Sequence, residues 1–193
     1  MTETPNPHIV DADTMSGEMR PIRRVVLCLG SNLGQRQQNL QGGTSALVDT
    51  PDVRVVDVSP VYESPAVDGP ADAGDFLNVV ITADTTLSPQ TLLERCLAIE
   101  DAFGRERPVE RGAPRTLDVD LIAAGEAKIE EDDLTVPHPR ARERLFVLQP
   151  WLDVDPEAYL AGHGWVVDLI ADLGDGPDAP RVNRRDDRAI TLD

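Results

Sequence analysis

The sequence predicts an α+β domain in which two strand–helix–strand units share one antiparallel sheet. Short apolar or β-branched runs alternate with longer segments whose apolar residues recur at helical spacing. Their order is strand, helix, strand and then strand, helix, strand again, which is the βαββαβ arrangement of ferredoxin-like sandwiches. Right-handed crossovers would place both helices on one face of the sheet. The other face would then be free for a ligand.

The first unit begins with an apolar run at residues 24–30 (RVVLCLG), which predicts a buried strand. The turn at residues 31–34 (SNLG) leads into a weakly amphipathic helix that we expect to end near Val48. Residues 53–62 (VRVVDVSPVY) are rich in β-branched side chains and predict the second strand.

The second unit follows a loop rich in proline, glycine and aspartate. Residues 75–84 (DFLNVVITAD) predict the third strand. Ser88 and Pro89 predict the start of the second helix, as N-cap and first-turn proline, and Gly104 predicts its end. Residues 116–123 (TLDVDLIA) predict the fourth strand. Beyond it we expect a hairpin, a short helix and a C-terminal amphipathic helix, near Ile129, after Pro139 and near residues 165–173.

The composition fits one compact domain, because the chain has 193 residues, of which 40% are hydrophobic. We expect this domain at residues 22–173, between a disordered N-terminal tail at residues 1–21 and a polar, disordered C-terminal tail at residues 174–193. The N-terminal residues lack the apolar run of a secretory signal peptide, and no segment is long enough to span a bilayer. Cys28 and Cys96 have apolar neighbours, which predicts buried thiols in a cytoplasmic protein.

The charge distribution favours a small, polyanionic ligand. A formal net charge of -17 argues against binding to nucleic acid or to an anionic membrane. Lys128 is the only lysine, so the positive charge is carried almost entirely by guanidinium groups, which suit bidentate contacts to phosphate. Two dense arginine clusters are Arg105, Arg107, Arg111 and Arg115, and Arg140, Arg142 and Arg144. A salt-bridged surface is the alternative, but such density in an acidic chain favours a polyphosphate.

Asp118 and Asp120 are expected on one side of the fourth strand, since alternate residues of a strand share a face. Their Cα atoms would lie about 7 Å apart. Two adjacent carboxylates repel each other unless a cation or protons intervene, and carboxylate oxygens are ligands that Mg²⁺ prefers. A polar face bonded to water or arginine is the alternative. With Arg111 and Arg115 just upstream, the pattern favours a Mg²⁺–polyphosphate site.

The familiar nucleotide motifs are absent from the sequence. It contains no GxxxxGK[ST] loop, no dinucleotide-binding glycine spacing, no protein-kinase catalytic loop and no nucleophile elbow. If ATP binds, arginines and metal must therefore hold it.

Five segments in a fixed order carry a resemblance over residues 25–173: LGSNLG (29–34), SPVYESPAVDG (59–69), DFLNVV (75–80), LLERCLAIEDAFGRERPVERGAPRTLDVDLI (92–122) and LTVPHPRARERLFVLQP (134–150). Together they resemble the 6-hydroxymethyl-7,8-dihydropterin pyrophosphokinases of folate biosynthesis. The resemblance implies an enzyme with two small-molecule substrates, ATP and the hydroxymethyl dihydropterin. It also implies transfer of a diphosphate with release of AMP, and two Mg²⁺ ions. We expect the enzyme to be a cytoplasmic monomer.

The resemblance also implies roles for individual residues. Asp118 and Asp120 match the pair that holds the two Mg²⁺ ions, and we expect them to act in catalysis together with Arg107 and Arg115. The positions that match the ATP site are Glu100, Arg105, Arg107, Arg111, Arg115, His138 and Arg144. The positions that match the pterin pocket are Ser64, Pro65, Val67, Phe76, Asn78 and Phe146. Aromatic faces and a side-chain amide suit a flat heterocycle with a polar edge.

Two other functions fit parts of this pattern. Ferredoxin-like sheets also bind single-stranded RNA through aromatic residues on the open face. Aromatic residues make up only 4% of this acidic chain, however, and the basic and aromatic run typical of such sheets is missing. A metal-dependent phosphohydrolase could use the same pair of aspartates.

Overall fold

The computed structural model describes residues 20–66, 74–104, 114–174, 176 and 179–192. The strands are β1 (Arg23–Ser31), β2 (Val53–Val58), β3 (Tyr62–Ser64), β4 (Phe76–Thr85), β5 (Asp118–Ala124), β6 (Ile129–Glu130), β7 (Thr135–Val136), β8 (Tyr159–Leu160), β9 (Gly164–Trp165) and β10 (Asn183–Arg184). The helices are α1 (Arg36–Val48), α2 (Pro89–Ala102), α3 (Leu145–Val154) and α4 (Val166–Leu173), with a 3-10 turn at Ala141–Glu143. None of the helices described is long and apolar enough to cross a bilayer.

The main sheet has the predicted ferredoxin-like order. β1 lies between β4 and β5, and β2 and β3 pair with the far side of β4, all antiparallel. The α+β prediction is therefore confirmed, but the predicted second strand is divided in two. Pro60 lies at the break, where a residue without an N–H cannot extend the ladder. Ser59 spans the break by donating its N–H to the carbonyl of Val80 and accepting from the Val80 N–H through its hydroxyl, each at 2.9 Å.

Helices α1 and α2 both pack on one face of the sheet, as the right-handed crossovers predict. Leu47 of α1 and Leu92 of α2 are fully buried in the same cluster as Leu29 and Val79 of the sheet. Helix α2 begins as predicted, since the Ser88 hydroxyl accepts a 3.1 Å hydrogen bond from the Thr91 N–H.

The opposite face of the sheet is partly covered, which corrects the expectation that it is free. Helices α3 and α4 form a second apolar cluster there, in which Leu148 and Trp151 pack with Cys28, Val80 and Ile122. The predicted short helix after Pro139 corresponds to α3, which runs through the internal Pro150 and buries its apolar side chains against this face.

The prediction of a disordered C-terminal tail is wrong for residues 179–192. β10 pairs antiparallel with β3, and the Arg185 N–H donates to the Val61 carbonyl at 2.8 Å. Ile190 packs against the main core. These contacts join residues more than a hundred positions apart, so the polar composition of the segment does not reveal them. Residues 1–19, most of the predicted N-terminal tail, lie outside the described residues.

Candidate active site

Asp118 and Asp120 alternate along the chain with Leu117, Val119 and Leu121, whose side chains are buried in the main core. The two aspartates therefore lie on the sheet face opposite α1 and α2. Their side chains are 19% and 33% exposed. Each carboxylate is bonded by a different arginine. Arg115 Nη1 donates to Asp118 Oδ1 at 2.6 Å, and Arg144 Nη1 donates to Asp120 Oδ2 at 3.0 Å. The predicted shared face is confirmed, and it brings together residues from both arginine clusters.

The environment of Asp120 suits a bound cation. Burial raises the pKa of Asp120 and the neighbouring Asp118 raises it further, while Arg144 and Arg115 act in the opposite direction. A divalent cation would relieve the repulsion between the two carboxylates. The described residues contain no group of three or more His, Cys, Asp or Glu that could hold a metal. Two carboxylates fit Mg²⁺, which typically takes one or two from the protein and completes its shell with water and substrate phosphates.

His138 lies beside this carboxylate pair. The backbone N–H of His138 donates to the Ile122 carbonyl at 2.9 Å, and its ring Nδ1 accepts from the backbone N–H of Arg140 at 3.1 Å. Its Nε2 lies 4.0 Å from Asp120 Oδ2. Burial lowers the pKa of His138 to about 4, with a further contribution from Arg144. Arg144 Nη1 lies 3.4 Å from Nε2, so both ring nitrogens of His138 face donors, the Arg140 backbone N–H and the Arg144 guanidinium.

Arg144 connects the carboxylates to the aromatic side of the site. Its guanidinium carbon lies 5.5 Å from the centre of the Phe146 ring, within the range of a cation–π contact. Its side chain is only 18% exposed. The position of Arg144 is therefore fixed from two directions, by the Asp120 carboxylate and by the aromatic ring.

Asn78 forms a buried polar position on the same face. Its side-chain Nδ2 donates to the Ser64 hydroxyl at 3.0 Å and lies 3.4 Å from the Tyr62 carbonyl. Asn78 is 2% exposed and Ser64 is 4% exposed. Phe76 precedes Asn78 on β4 and points to the same side of the sheet. Three of the residues expected in the pterin pocket are therefore neighbours, on β3 and β4.

Gly30 joins the two halves of the site, a role that the sequence analysis missed. In the sheet it lies opposite Asn78 on one side and Asp118 on the other. A Cβ at Gly30 would lie 3.3 Å from both Asn78 Oδ1 and Phe76 Cδ1. The absence of a side chain at Gly30 thus leaves room for the Asn78 amide and the Phe76 ring beside the carboxylates. The sequence signal that could have indicated this role is a glycine at the end of an otherwise apolar predicted strand, residues 24–30.

Asn32, in the turn after β1, was also missed. Its Oδ1 accepts from the Arg115 N–H at 2.7 Å, and its Nδ2 donates to the Gly74 carbonyl at 3.1 Å. The Asn32 N–H also donates to the Arg115 carbonyl at 3.1 Å. This side chain therefore ties the segment before β5 to the segment before β4. An asparagine in a strand-to-helix turn often bonds nearby backbone, but the sequence does not indicate which backbone.

The remaining predicted residues are distributed as follows. Glu100 is 2% exposed, and its Oε1 accepts a 2.9 Å hydrogen bond from the Val119 N–H, which places it against β5 next to the aspartates. Pro65 is exposed directly after β3. Four predicted residues lie outside the described part of the chain: Val67, Arg105, Arg107 and Arg111.

Residues 26–156 match the family described as 7,8-dihydro-6-hydroxymethylpterin-pyrophosphokinase. The chain belongs to this family. Two similar proteins are both named 2-amino-4-hydroxy-6-hydroxymethyldihydropteridine pyrophosphokinase. The protein from Methylorubrum extorquens is 41% identical over 72% of this chain and 87% of its own length. The protein from Mycobacterium tuberculosis is 44% identical over 78% of this chain and 84% of its own length.

Solved structures support the fold of this pyrophosphokinase. The Plasmodium falciparum HPPK-DHPS structure with pterin and p-hydroxybenzoate has a TM-score of 0.63 at 15% identity and covers 89% of this chain. The structure of the same protein with pteroate has a TM-score of 0.60 at 14% identity and covers 80% of this chain. This chain spans 48% and 43% of those longer chains. At such identity the similarity supports the fold alone.

Proposed function

We propose that this pyrophosphokinase transfers the diphosphate of ATP to the hydroxymethyl group of 6-hydroxymethyl-7,8-dihydropterin, which gives the pterin diphosphate and AMP in folate biosynthesis. One observation carries the proposal beyond family membership. A pair of carboxylates suited to Mg²⁺ and a buried amide suited to a heterocycle share one sheet face, and Gly30 alone lies between Asn78 and Asp118 in the register. A polyphosphate and a pterin bound there would lie side by side.

The ATP side of the site is built from Asp118, Asp120 and the arginines bonded to them. We propose that the two aspartates hold two Mg²⁺ ions, which would neutralise negative charge on phosphate oxygens. Arg115 and Arg144 each donate to one aspartate, so their remaining N–H groups are close enough to the pair to contact the same phosphates. The roles of Arg105, Arg107 and Arg111 remain predictions from the resemblance.

The pterin side is built from Asn78, its hydroxyl partner and two phenylalanines. The amide of Asn78 can both donate and accept, which matches the alternating polar edge of a pterin. Its bond to Ser64 fixes the orientation of the amide before a ligand arrives. We propose that Phe76 and Phe146 stack on the two faces of the heterocycle, a contribution of about 1 kcal/mol for each ring contact.

The chemistry requires little covalent help from the protein. The hydroxymethyl oxygen forms a bond to the β-phosphorus of ATP, the bond from the β-phosphorus to the α,β-bridging oxygen breaks, and AMP departs with that oxygen. The hydroxyl proton passes to solvent. The protein contributes alignment of the two substrates and offsets charge on the bridging and leaving oxygens. We propose that Arg115 and Arg144 perform this second task.

Product analysis tests the proposal directly. The full chain is incubated with Mg²⁺, ATP and the hydroxymethyl dihydropterin, and the nucleotide products are separated by ion-exchange chromatography. We expect AMP and pterin diphosphate in equal amounts. ADP would indicate transfer of a single phosphoryl group, and free phosphate without pterin diphosphate would indicate a phosphohydrolase. Either result would contradict the proposal.

We also propose a cytoplasmic location and a monomeric state. Cys28 and Cys96 are both free and buried, which suits a reducing compartment. Burial raises the pKa of both thiols, so neither is a reactive thiolate at neutral pH. Light scattering on the purified protein tests the monomer, and cell fractionation tests the location.

A further inference from the structure

Residues 179–192 form a strap that crosses the outer edge of the main sheet. This C-terminal strap lies beyond residues 26–156, which match the family. It adds β10 to the edge strand β3, with Asn183 opposite Glu63 and Arg184 opposite Tyr62. It also reaches α1, where Gln41 bonds the backbone of Thr191 through both ends of its amide.

The strap holds β3 through a shared carboxylate. Arg185 Nη1 forms an ion pair with Glu63 Oε2. Arg36, at the start of α1, donates to Glu63 Oε1 at 2.9 Å and to the Asp75 carbonyl at 2.7 Å. The side chains of Glu63, Arg185 and Arg36 are 18%, 26% and 27% exposed, so solvent screens these pairs less than it screens ordinary surface pairs. Glu63 thus connects the strap to β3, α1 and the segment that enters β4.

A second contact connects the strap to α3. Arg184 Nη1 lies 3.5 Å from Asp153 Oδ2, and the Tyr62 hydroxyl donates to the same oxygen at 2.7 Å. Asp153 belongs to α3, the helix that also contains Phe146. Arg184 and Tyr62 lie opposite each other in the pairing of β10 with β3. Their side chains therefore both reach the Asp153 carboxylate, which connects the strap and β3 to α3.

The two elements that the strap joins both carry residues of the proposed pterin pocket. β3 carries Ser64, which orients Asn78, and α3 carries Phe146. We propose that Arg184 and Arg185 are positioning residues that fix β3 relative to α3 and thereby set the affinity for the pterin substrate. This proposal rests on the pterin pocket proposed above. Neither arginine has a hydrogen bond or ion pair to Asp118 or Asp120 among the contacts described, so binding of ATP should depend on them much less.

The strap matters because it supplies the backbone partner on the outer edge of β3. The strand is only three residues long and pairs with the Phe76 end of β4. Without the strap its outer edge would lose its backbone partner, and a short edge strand is readily displaced. A displaced Ser64 would release the Asn78 amide, which the ligand would then have to orient on binding at a cost in affinity.

The test compares substrate dependence in the full chain at 25 °C. Arg185→Gln and the double variant Arg184→Gln/Arg185→Gln should raise KM for the pterin about fivefold or more, which corresponds to about 1 kcal/mol. KM for ATP and kcat should change less than about twofold. Arg185→Lys should restore most of the lost affinity, because it keeps the charge opposite Glu63. Arg181→Gln, at an exposed residue of the same strap, is the matched control and should behave like the original chain.

Three results would overturn the proposal. The first is an unchanged KM for the pterin in the double variant. The second is an equal rise in both KM values, which would indicate general loosening. The third is a lowered melting temperature with both KM values unchanged, which would show that the strap is only structural. If Arg185→Gln and the double variant do not fold, Arg184→Gln alone decides, because its side chain is 51% exposed: a KM for the pterin equal to that of Arg181→Gln overturns the proposal.

The proposed pocket is tested separately with Ser64→Ala. A raised KM for the pterin in this variant supports the pocket whatever the strap variants do. Failure of the original chain to form AMP would contradict the proposed function itself, before any strap variant is measured.

Discussion

Gly30 lies opposite Asn78 in the pairing of β1 with β4, and a Cβ at Gly30 would lie 3.3 Å from Asn78 Oδ1. The backbone of Gly30 is ordinary extended strand, so its conformation does not require glycine. The requirement is one of space. The Asn78 amide and the Phe76 ring occupy the space that a side chain at Gly30 would need, and Asp118 follows on the other side of Gly30 in the register.

Gly30→Ala should weaken binding of the pterin. The added methyl would press on Asn78 and Phe76 at a distance tighter than most packing contacts, so one of them must shift. We expect KM for the pterin to rise about tenfold, a cost of about 1.4 kcal/mol, with a smaller change for ATP. Steady-state kinetics with each substrate varied in turn measures this. Gly176→Ala, where the methyl would meet nothing within 4 Å, is the control; equal behaviour of the two variants would contradict the prediction.

Asp118→Asn and Asp120→Asn should each abolish turnover and leave the fold intact. Loss of a carboxylate removes charge stabilisation worth several kcal/mol in the transition state. The fold should persist because both side chains project from the sheet on the side away from the main core. Single-turnover assays and circular dichroism measure the two effects. Asp132→Asn, at an exposed position in the turn between β6 and β7, is the control. Near-normal rates in both active-site variants would show that the carboxylates are only structural.

Arg144→Lys should reduce kcat/KM although it keeps the positive charge. Lysine cannot reproduce a planar group that donates to Asp120 while lying over the Phe146 ring. We expect a loss of about tenfold or more, equivalent to about 1.4 kcal/mol. The matched variant Arg142→Lys replaces an arginine that is 54% exposed and should change little. If both variants lose activity equally, the geometry of Arg144 is not the cause.

Glu63 should make the stability of the protein sensitive to acid. Burial alone would raise the pKa of Glu63, but the hydrogen bonds from Arg36 and Arg185 outweigh it and hold the pKa below its ordinary value of 4.5. A depressed pKa contributes stability that is present above about pH 4.5 and is lost as the pH falls through the folded value. Glu63→Gln should therefore have a lower urea midpoint than the original chain at about pH 7. The difference should narrow as the pH falls below about 4.5 and through the folded pKa of Glu63. A difference that stays constant with pH would show that Glu63 contributes by packing alone.

Local patterns were sufficient to predict the architecture and the chemistry of β5. Alternation along a strand placed Asp118 and Asp120 on one face, and the cap at Ser88 placed the start of α2. These features depend on residues close together in the chain, whose geometry is set by the repeat of the helix or strand. The identity of the family also followed from motifs in order along the chain.

Contacts between distant segments were not predictable in this way. The sequence did not indicate that α3 would cover part of the ligand face, that Asn32 would bond both Arg115 and Gly74, or that Arg185 would reach Glu63 across 122 positions. A polar segment that pairs with an edge strand has the composition of a disordered tail. Strand pairing uses backbone N–H and C=O groups, which nearly every residue has, so side-chain composition does not reveal it.

The sequence by itself determined the βαββαβ plan of the main sheet and its two helices, the family and the pair of carboxylates. Only the tertiary structure decided that Gly30 leaves the space between the two halves of the site and that residues 179–192 close the edge of β3. The physical reason is the range of the interactions. Periodicity and capping act within a few residues, whereas a shared cavity or a strand edge exists only after distant segments have packed together.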